Sequence, residues 1–216
     1  MEHLDILPDS YIVPDDVYEP IIPRILHMIW VGPEPPASFS EHASQWHALM
    51  PSWTIRVWRN EDIHTGEFPE PIVRLIGWTN KGAQKADIMR YHIMEKYGGV
   101  YVDADVIPRR SLEDLVVHTR RRVILCHDLP VTWPYISIGF FAAVPNHPLF
   151  KTACALCYTI TVNTSDIHLQ SGPRLLGKAV WKTPTEEPYM LLPIKYFYRN
   201  DTCPYAFGTH TYAKNW

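Results

Sequence analysis

Two aspartates separated by one alanine, Asp103-Ala104-Asp105, are the residues of this sequence best placed to do chemistry. On an extended chain their carboxylates point to one side, while the small Ala104 points away. Such a pair of hard oxygen donors suits Mg²⁺ or Mn²⁺, and Mg²⁺ sites tend to combine one or two protein carboxylates with waters and substrate phosphates. A D-x-D triplet also arises by chance and often marks a turn or a solvated strand end, so its surroundings decide its meaning. Upstream, Asp87 and Arg90 stand three positions apart, which on a helix puts them on one flank. Read plainly they are a surface ion pair worth roughly 0.2–0.5 kcal/mol. Read for function they clamp ribose or sugar hydroxyls and phosphate in the cleft the aspartates face. Cys154-x-x-Cys157 has the spacing of a zinc or redox pair, but no second pair accompanies it. Cys126, Cys154, Cys157 and Cys203 are therefore read as structural or free thiols. The eleven histidines form no H-E-x-x-H or comparable ligand pattern, and only His210 carries functional weight.

The elements that position these residues can be read around them. Arg24 to Val31 is a β-prone run bounded by Pro23 and Gly32-Pro33, and suits a buried first strand. Ser38 to Met50 reads as a helix with Ser38 or Ser40 as N-cap, stopped by Pro51, and Trp53 to Trp58 alternates like a strand. From Asn80 to Tyr97 the positions Ala86, Met89, Ile93 and Tyr97 recur at helical spacing, and Gly98-Gly99 ends the helix. Val100-Tyr101-Val102 then forms a short strand that delivers Asp103 and Asp105 at its carboxyl end, where ligands bind in open α/β sheets. Val123 to Cys126 and Ile136 to Val144 read as strands, followed by a helix from His147 to Ile160. The Pro- and Tyr-rich C-terminal third has no assignable pattern.

With 216 residues, 46% of them hydrophobic, the chain can bury one substantial core. Residues 1–20 read as an acidic, proline-containing arm and 21–216 as one α/β domain. A net charge of −3, with only Arg120-Arg121-Arg122 as a basic run, argues against nucleic acid as a partner. The first twenty residues lack the basic and apolar regions of a secretory signal, and no apolar run reaches the ~18 residues of a membrane span. The chain is accordingly expected to be soluble and cytoplasmic, with truncation of a longer protein left open.

Three blocks carry a family resemblance: Ile22 to Gly32, Pro51 to Trp58, and Lys85 through Arg90-Tyr91 and Gly98-Gly99 to Asp105. Weaker echoes are Ala143 to Pro148, Ser171-Gly172-Pro173 and the ending His210 to Trp216. In these stretches, their order and their spacing, the sequence resembles the glycosyltransferases with a DXD sugar-binding region. That group includes the yeast-type α-1,6-mannosyltransferases and, more remotely, the clostridial glucosylating toxins. The resemblance implies a GT-A-like fold, with a Rossmann-like mixed sheet flanked by helices. It also implies a UDP- or GDP-linked sugar donor, a glycan or other hydroxyl acceptor, and Mn²⁺ (or Mg²⁺) as cofactor. It assigns Trp30 to stacking on the nucleotide base, although an aromatic in a strand more simply serves packing. It places Asp87 and Arg90 on ribose and sugar, and Tyr101 in the nucleotide pocket. Asp103 would contact ribose, sugar or a metal-bound water, and Asp105 would be the direct metal ligand. Relatives often finish with a His-rich stretch and a Ser-Trp pair, whereas this chain has His210 and then Lys214-Asn215-Trp216. Here Trp216 is the candidate donor cap, and Asn215 and His210 are candidate metal neighbours. Ser137 lies near a position where some relatives carry Asn.

The expected reaction is sugar transfer with retention, needing no strong side-chain base, with Arg90 or Lys214 assisting the departing diphosphate. An inverting enzyme would need a carboxylate to take the acceptor proton, and Asp128 and Asp166 are the candidates. Two other readings compete. One is a nucleotide-sugar hydrolase or donor-binding module with the same donor residues. The other is a carbohydrate-binding protein using its eight Trp and twelve Tyr as stacking platforms.

Overall fold

Three short apolar runs, each buried from end to end or nearly so, define the centre of the structure: Ile25-Leu26-His27-Met28-Ile29, Gly99-Val100-Tyr101-Val102 and Ile136 to Ala143. The computed structural model describes residues 4–8, 10, 18–127, 136–159, 170–198 and 203–213. Along them the elements are β1 (Leu4–Ile6), β2 (Ile25–Ile29), α1 (Ala37–Leu49), β3 (Thr54–Trp58), α2 (Glu70–Gly77), α3 (Gly82–Tyr97), β4 (Gly99–Val102) and β5 (Val106–Pro108). They continue as α4 (Glu113–Val117), β6 (Val123–His127), β7 (Ile136–Ala143), α5 (Pro148–Cys157), α6 (Pro173–Lys182), β8 (Tyr189–Leu192) and β9 (Gly208–His210).

A mixed seven-stranded sheet runs in the order β1-β8-β6-β7-β4-β2-β3. Strand β7 is antiparallel to its neighbours β6 and β4, and the other pairs are parallel. A mostly parallel sheet must be covered on both faces, and the two core clusters divide accordingly. Tyr101, Leu125, Phe141 and Leu191 pack with α2, α3, α5 and α6. Val100, Val102, Ile124, Phe140 and Leu192 pack with α1 and α4. The alternation along β4 is thus a choice between two buried faces rather than between core and solvent. The result is one α/β domain of the expected class. Within the stretch read as an arm, Leu4–Ile6 adds an edge strand beside β8.

Helix α3 is buried on nearly every side, with Asp87 and Arg90 among its buried residues. Its end is set by Gly98 and Gly99, at φ 61° and 85°. A Cβ on Gly98 would sit 2.5 Å from Pro145 N, and one on Gly99 2.5 Å from Ile25 O. Both the left-handed backbone and the close approach therefore require glycine, and together they fix where β4 begins.

Several local expectations change. Helix α1 starts at Ala37 behind Pro36 and has no side-chain cap; Pro36, in an extended conformation, ends the proline-rich approach two residues ahead of Ser38. Helix α3 starts at Gly82 rather than Asn80. Helix α5 starts at Pro148, with His147 as the N-cap whose side chain accepts from Leu149 N, and Ile160 lies outside the described residues. The C-terminal third, unassigned from sequence, supplies α6, β8 and β9. Among the described residues no helix is long and apolar enough to cross a membrane.

Candidate functional site

Strand β4 carries the chain to Asp103, whose N–H donates to Gly139 O of the adjacent β7 at 2.9 Å. The backbone does not stay extended through the triplet. It turns, with Val106 N–H donating back to Asp103 O at 3.1 Å, and enters β5. The carboxylates nonetheless converge, because β9 pairs antiparallel with β5 and sets His210 opposite Val106. His210 Nε2 lies 3.4 Å from Asp103 Oδ2 and 3.3 Å from Asp105 Oδ1. One ligand atom from each of Asp103, Asp105 and His210 falls within 4.8 Å of the others. The main chain after β9 secures Asp105, whose Oδ2 accepts from Ala213 N at 2.8 Å and whose carbonyl accepts from Thr211 N at 3.1 Å.

The other side of Asp103 is held by α3. Arg90 Nη1 lies 3.0 Å from Asp103 Oδ1, and Nη2 lies 2.9 Å from Asp87 Oδ1. Nη1 also donates to Ile138 O at 2.5 Å. Ser171 Oγ donates to Asp87 Oδ2 at 2.9 Å, and the Tyr101 hydroxyl donates to Asp103 Oδ1 at 2.7 Å. Asp87 and Arg90 are only 5% and 2% exposed, so the plain reading of a surface pair is corrected: this is a buried ionic network, whose loss on one side strands a charge.

Burial alone would raise the Asp103 carboxyl, but Arg90 and then His210 outweigh it and hold the group below its ordinary value. Burial pushes Asp87 up to about 6 against Arg90 and Ser171, and raises Asp105 against the opposing pull of His210. Arg90 pairs with Asp87 and Asp103 while Asp105 faces His210, so among the described residues of the site three carboxylates share one permanent cation, an excess of negative charge that a divalent cation would neutralise. Two carboxylates and an imidazole form a mixed oxygen and nitrogen set, which fits Mn²⁺ more closely than Mg²⁺ with its preference for oxygen.

Trp30 is buried, donates from Nε1 to Pro33 O at 2.7 Å and packs against Phe39. Its ring helps wall a pocket of about 210 Å³ shared with Phe39, His42, Asp105, Thr211 and Ala213. Whole small-molecule sites run to roughly 300–1,000 Å³, so this pocket has room for one moiety of a nucleotide sugar. Tyr101 is fully buried and meets the site through its hydroxyl, which donates to Asp103, and through its ring, over which the Arg90 guanidinium lies 4.6 Å from the centroid. Lys214, Asn215, Trp216, Asp128 and Asp166 lie outside the described residues. A larger cavity of about 1040 Å³, bordered by Tyr18, Glu19, Arg120, Arg122 and His147, shares no residue with the aspartate group.

Sequence reading missed Gly139 and Tyr198. A Cβ at Gly139 would lie 2.8 Å from Asp103 Oδ2 and 2.7 Å from the Tyr198 hydroxyl. A glycine inside an otherwise apolar strand is the signal that marks such a close approach. Tyr198 stacks on His210, with centroids 5.1 Å apart, and its hydroxyl bonds the buried Ser137.

Residues 36–122 match the family described as glycosyltransferase sugar-binding region containing DXD motif. The matched stretch includes Asp87, Arg90, Asp103 and Asp105, and leaves Trp30 and His210 outside. The chain is 24% identical over 213 residues to an uncharacterized glycosyltransferase of Acanthamoeba polyphaga mimivirus, covering 91% of this chain and 84% of that protein. It is 27% identical over 207 residues to inositol phosphoceramide mannosyltransferase 1 of Schizosaccharomyces pombe, covering 90% of this chain and 62% of that protein. Among solved structures it is similar to the PaToxG glycosyltransferase, with a TM-score of 0.65 and 17% identity over 76% of this chain and 69% of that one. A glycosyltransferase involved in glycosylation of the major capsid of PBCV-1 gives 0.51 and 12%, over 86% and 92%. At these identities the structural likeness speaks to the fold, which is GT-A.

Proposed function

We propose, for a chain that carries the sugar-binding region of the DXD glycosyltransferase family on a GT-A fold, that residues 21–216 are a metal-dependent catalytic domain. It moves a hexose-type sugar from a UDP- or GDP-linked donor to a glycan or other hydroxyl acceptor. The observation that carries this reading is the convergence of Asp103, Asp105 and His210 beside a buried Arg90. Asp105, Asp103 and His210 would hold the ion. When bound there, Mn²⁺ or Mg²⁺ supplies charge neutralisation for the departing diphosphate.

The remaining roles belong to the chain's own groups. Arg90 keeps one oxygen of Asp103 occupied so that the other faces His210, which positions the aspartate without motion at the moment of reaction. Asp87, itself anchored by Ser171, and Arg90 orient ribose and sugar hydroxyls from the helix side. Trp30 bounds the nucleotide and Tyr101 supports that pocket from beneath by holding Asp103, with Trp216 as cap and Asn215 as a further metal neighbour. The acceptor hydroxyl attacks from the face the diphosphate leaves, giving retention without a strong side-chain base. The yeast relatives named as mannosyltransferases support a hexose as the transferred group.

The competing reading, a nucleotide-sugar hydrolase or donor-binding module, uses the same donor residues. A screen of UDP- and GDP-sugars with Mn²⁺ or chelator, on the native chain and Asp105→Ala, tests the donor site. Saturable binding that needs metal and disappears in the variant is expected. Absence of binding under any metal would sink the enzymatic reading, and turnover that no hydroxyl acceptor raises above the rate in water would favour the hydrolase.

A further inference from the structure

Helix α3 carries a second cluster of ligand-type side chains beyond Arg90. His92 and Glu95 lie three apart on it, with His92 Nδ1 3.7 Å from Glu95 Oε2. Helix α5 brings Cys154 against them, so that one donor atom from each of the three falls within 4.8 Å of the others. The cluster is mostly enclosed: Cys154 is 6% exposed, and the His92 and Glu95 side chains are 12% and 28% exposed. Phe68 packs on the His92 ring with centroids 5.4 Å apart. The Glu95 backbone is itself anchored, its carbonyl accepting from Asn146 N at 2.7 Å. His92 Nε2 is buried without a hydrogen bond of good geometry, and the Glu67 backbone is the main-chain group that acts on the ring.

The Cys-x-x-Cys spacing is divided by the fold. Cys154 is coupled to Glu95, whereas Cys157 is buried on the side where Asp87 acts on it. The two thiols are free, and Cys154 has the nitrogen and oxygen partners that Cys157 lacks in this cluster.

We propose that His92, Glu95 and Cys154 form a site for a thiophilic divalent cation of the Zn²⁺ class, which staples α3 to α5. Sulfur, nitrogen and oxygen donors leave a fourth tetrahedral position for water on the side where Glu95 meets solvent, an arrangement suited to Zn²⁺ and poorly suited to Mg²⁺. Binding forms a metal–sulfur bond and breaks the S–H bond, with the proton passing to solvent. One thiolate and one carboxylate then balance the cation, so the partly buried assembly is neutral. This site is separate from the aspartate group and does not depend on the chain being a transferase.

The test is a Co²⁺ titration of the full chain, with excess Mg²⁺ present to compete at the aspartates. A sulfur-to-cobalt charge-transfer band at one equivalent, displaced by Zn²⁺, is expected, and Zn²⁺ should raise the unfolding midpoint. The band should be lost in Cys154→Ser and kept in Cys157→Ser and Asp105→Ala. His92→Gln and Glu95→Gln should each weaken Co²⁺ binding at least about tenfold, the loss that even an outer-shell partner brings. These two variants decide the matter should Cys154→Ser fail to fold. No band in the native chain, a band that survives Cys154→Ser, or unchanged affinity in both glutamine variants would overturn the site.

Discussion

Arg90 on α3 and Asp103 at the end of β4 form a buried ion pair with Nη1 and Oδ1 3.0 Å apart, so the helix and the D-x-D turn are one electrostatic unit. The same guanidinium reaches Asp87 and the Ile138 carbonyl. Arg90→Ala would leave two carboxylates without their cation in a closed environment, and a loss of about 3–5 kcal/mol is expected. Arg90→Lys keeps the charge but cannot fork to both carboxylates, so it should cost less stability while still lowering turnover. Urea unfolding alongside donor turnover separates the effects. Equal stability of the native chain and Arg90→Ala would show that the network contributes nothing to the fold.

Asp103 and Asp105 are expected to respond differently to removal of their charge. Asp103→Asn removes one of the two carboxylates paired with the buried Arg90 and should destabilise the chain. Among the described residues the Asp105 carboxylate is held by His210 and the Ala213 N–H, and burial, with the neighbouring Asp103, already disfavours its charged form. Asp105→Asn should therefore leave stability within about 1 kcal/mol while lowering Mn²⁺ affinity and turnover. Calorimetric Mn²⁺ titration with parallel unfolding measurements checks this. A variant Asp105→Asn that binds Mn²⁺ as tightly as the native chain would remove it from the ligand set.

Gly139 leaves room where Asp103, Tyr198 and His210 meet. In Gly139→Ala the new methyl would lie 2.8 Å from Asp103 Oδ2, and something must shift. Overpacking costs of about 1–3 kcal/mol are expected. The more telling readout is the Mn²⁺ concentration for half-maximal turnover, which should rise because the displaced carboxylate no longer faces His210. An unchanged metal requirement would mean that the site absorbs the methyl by moving Tyr198 alone.

The central part of this arrangement was legible because local rules agree there. Helical spacing up to Tyr97, two glycines and a β-branched run mark α3, the turn and β4 without ambiguity, and so place Asp87, Arg90, Asp103 and Asp105 in one unit. What could not be read is long-range. The strand that presents His210 has three residues, Gly208–His210, too few for a period of two to show. The burial of Asp87 and Arg90 depends on partners distant in sequence, α5, Ser171, the Ile138 carbonyl and Asp103, and an i,i+3 pair on a solvated face has the same local pattern. Likewise Tyr-Met-Leu-Leu in β8 is apolar throughout because both faces are covered, which removes the alternation that identifies a half-buried strand.

His27 gives the fold a dependence on pH. It is fully buried in β2, with Nε2 3.0 Å from the Gly98 carbonyl and Nδ1 accepting from Trp58 Nε1 at 3.2 Å. This geometry fits one tautomer of neutral imidazole: Nε2–H donates to Gly98 O, and Nδ1 carries the lone pair. A second proton would put N–H against N–H at Trp58. Burial is the main reason its pKa falls from 6.5 to about 4, with Arg56 adding to the fall and the Gly98 carbonyl opposing it. The unfolded chain therefore binds this proton more readily than the folded one. The resulting stability is fully present above about pH 6.5 and drains as the pH falls toward 4. At about 1.4 kcal/mol per pH unit over that interval, the loss is about 3 kcal/mol. His147 titrates in the same sense, so the measurement is a difference: unfolding free energy at pH 7 and pH 4.5 for the native chain and for His27→Gln. The variant should start lower and lose less between the two pH values, and parallel losses in the two proteins would show that His27 is not the group responsible.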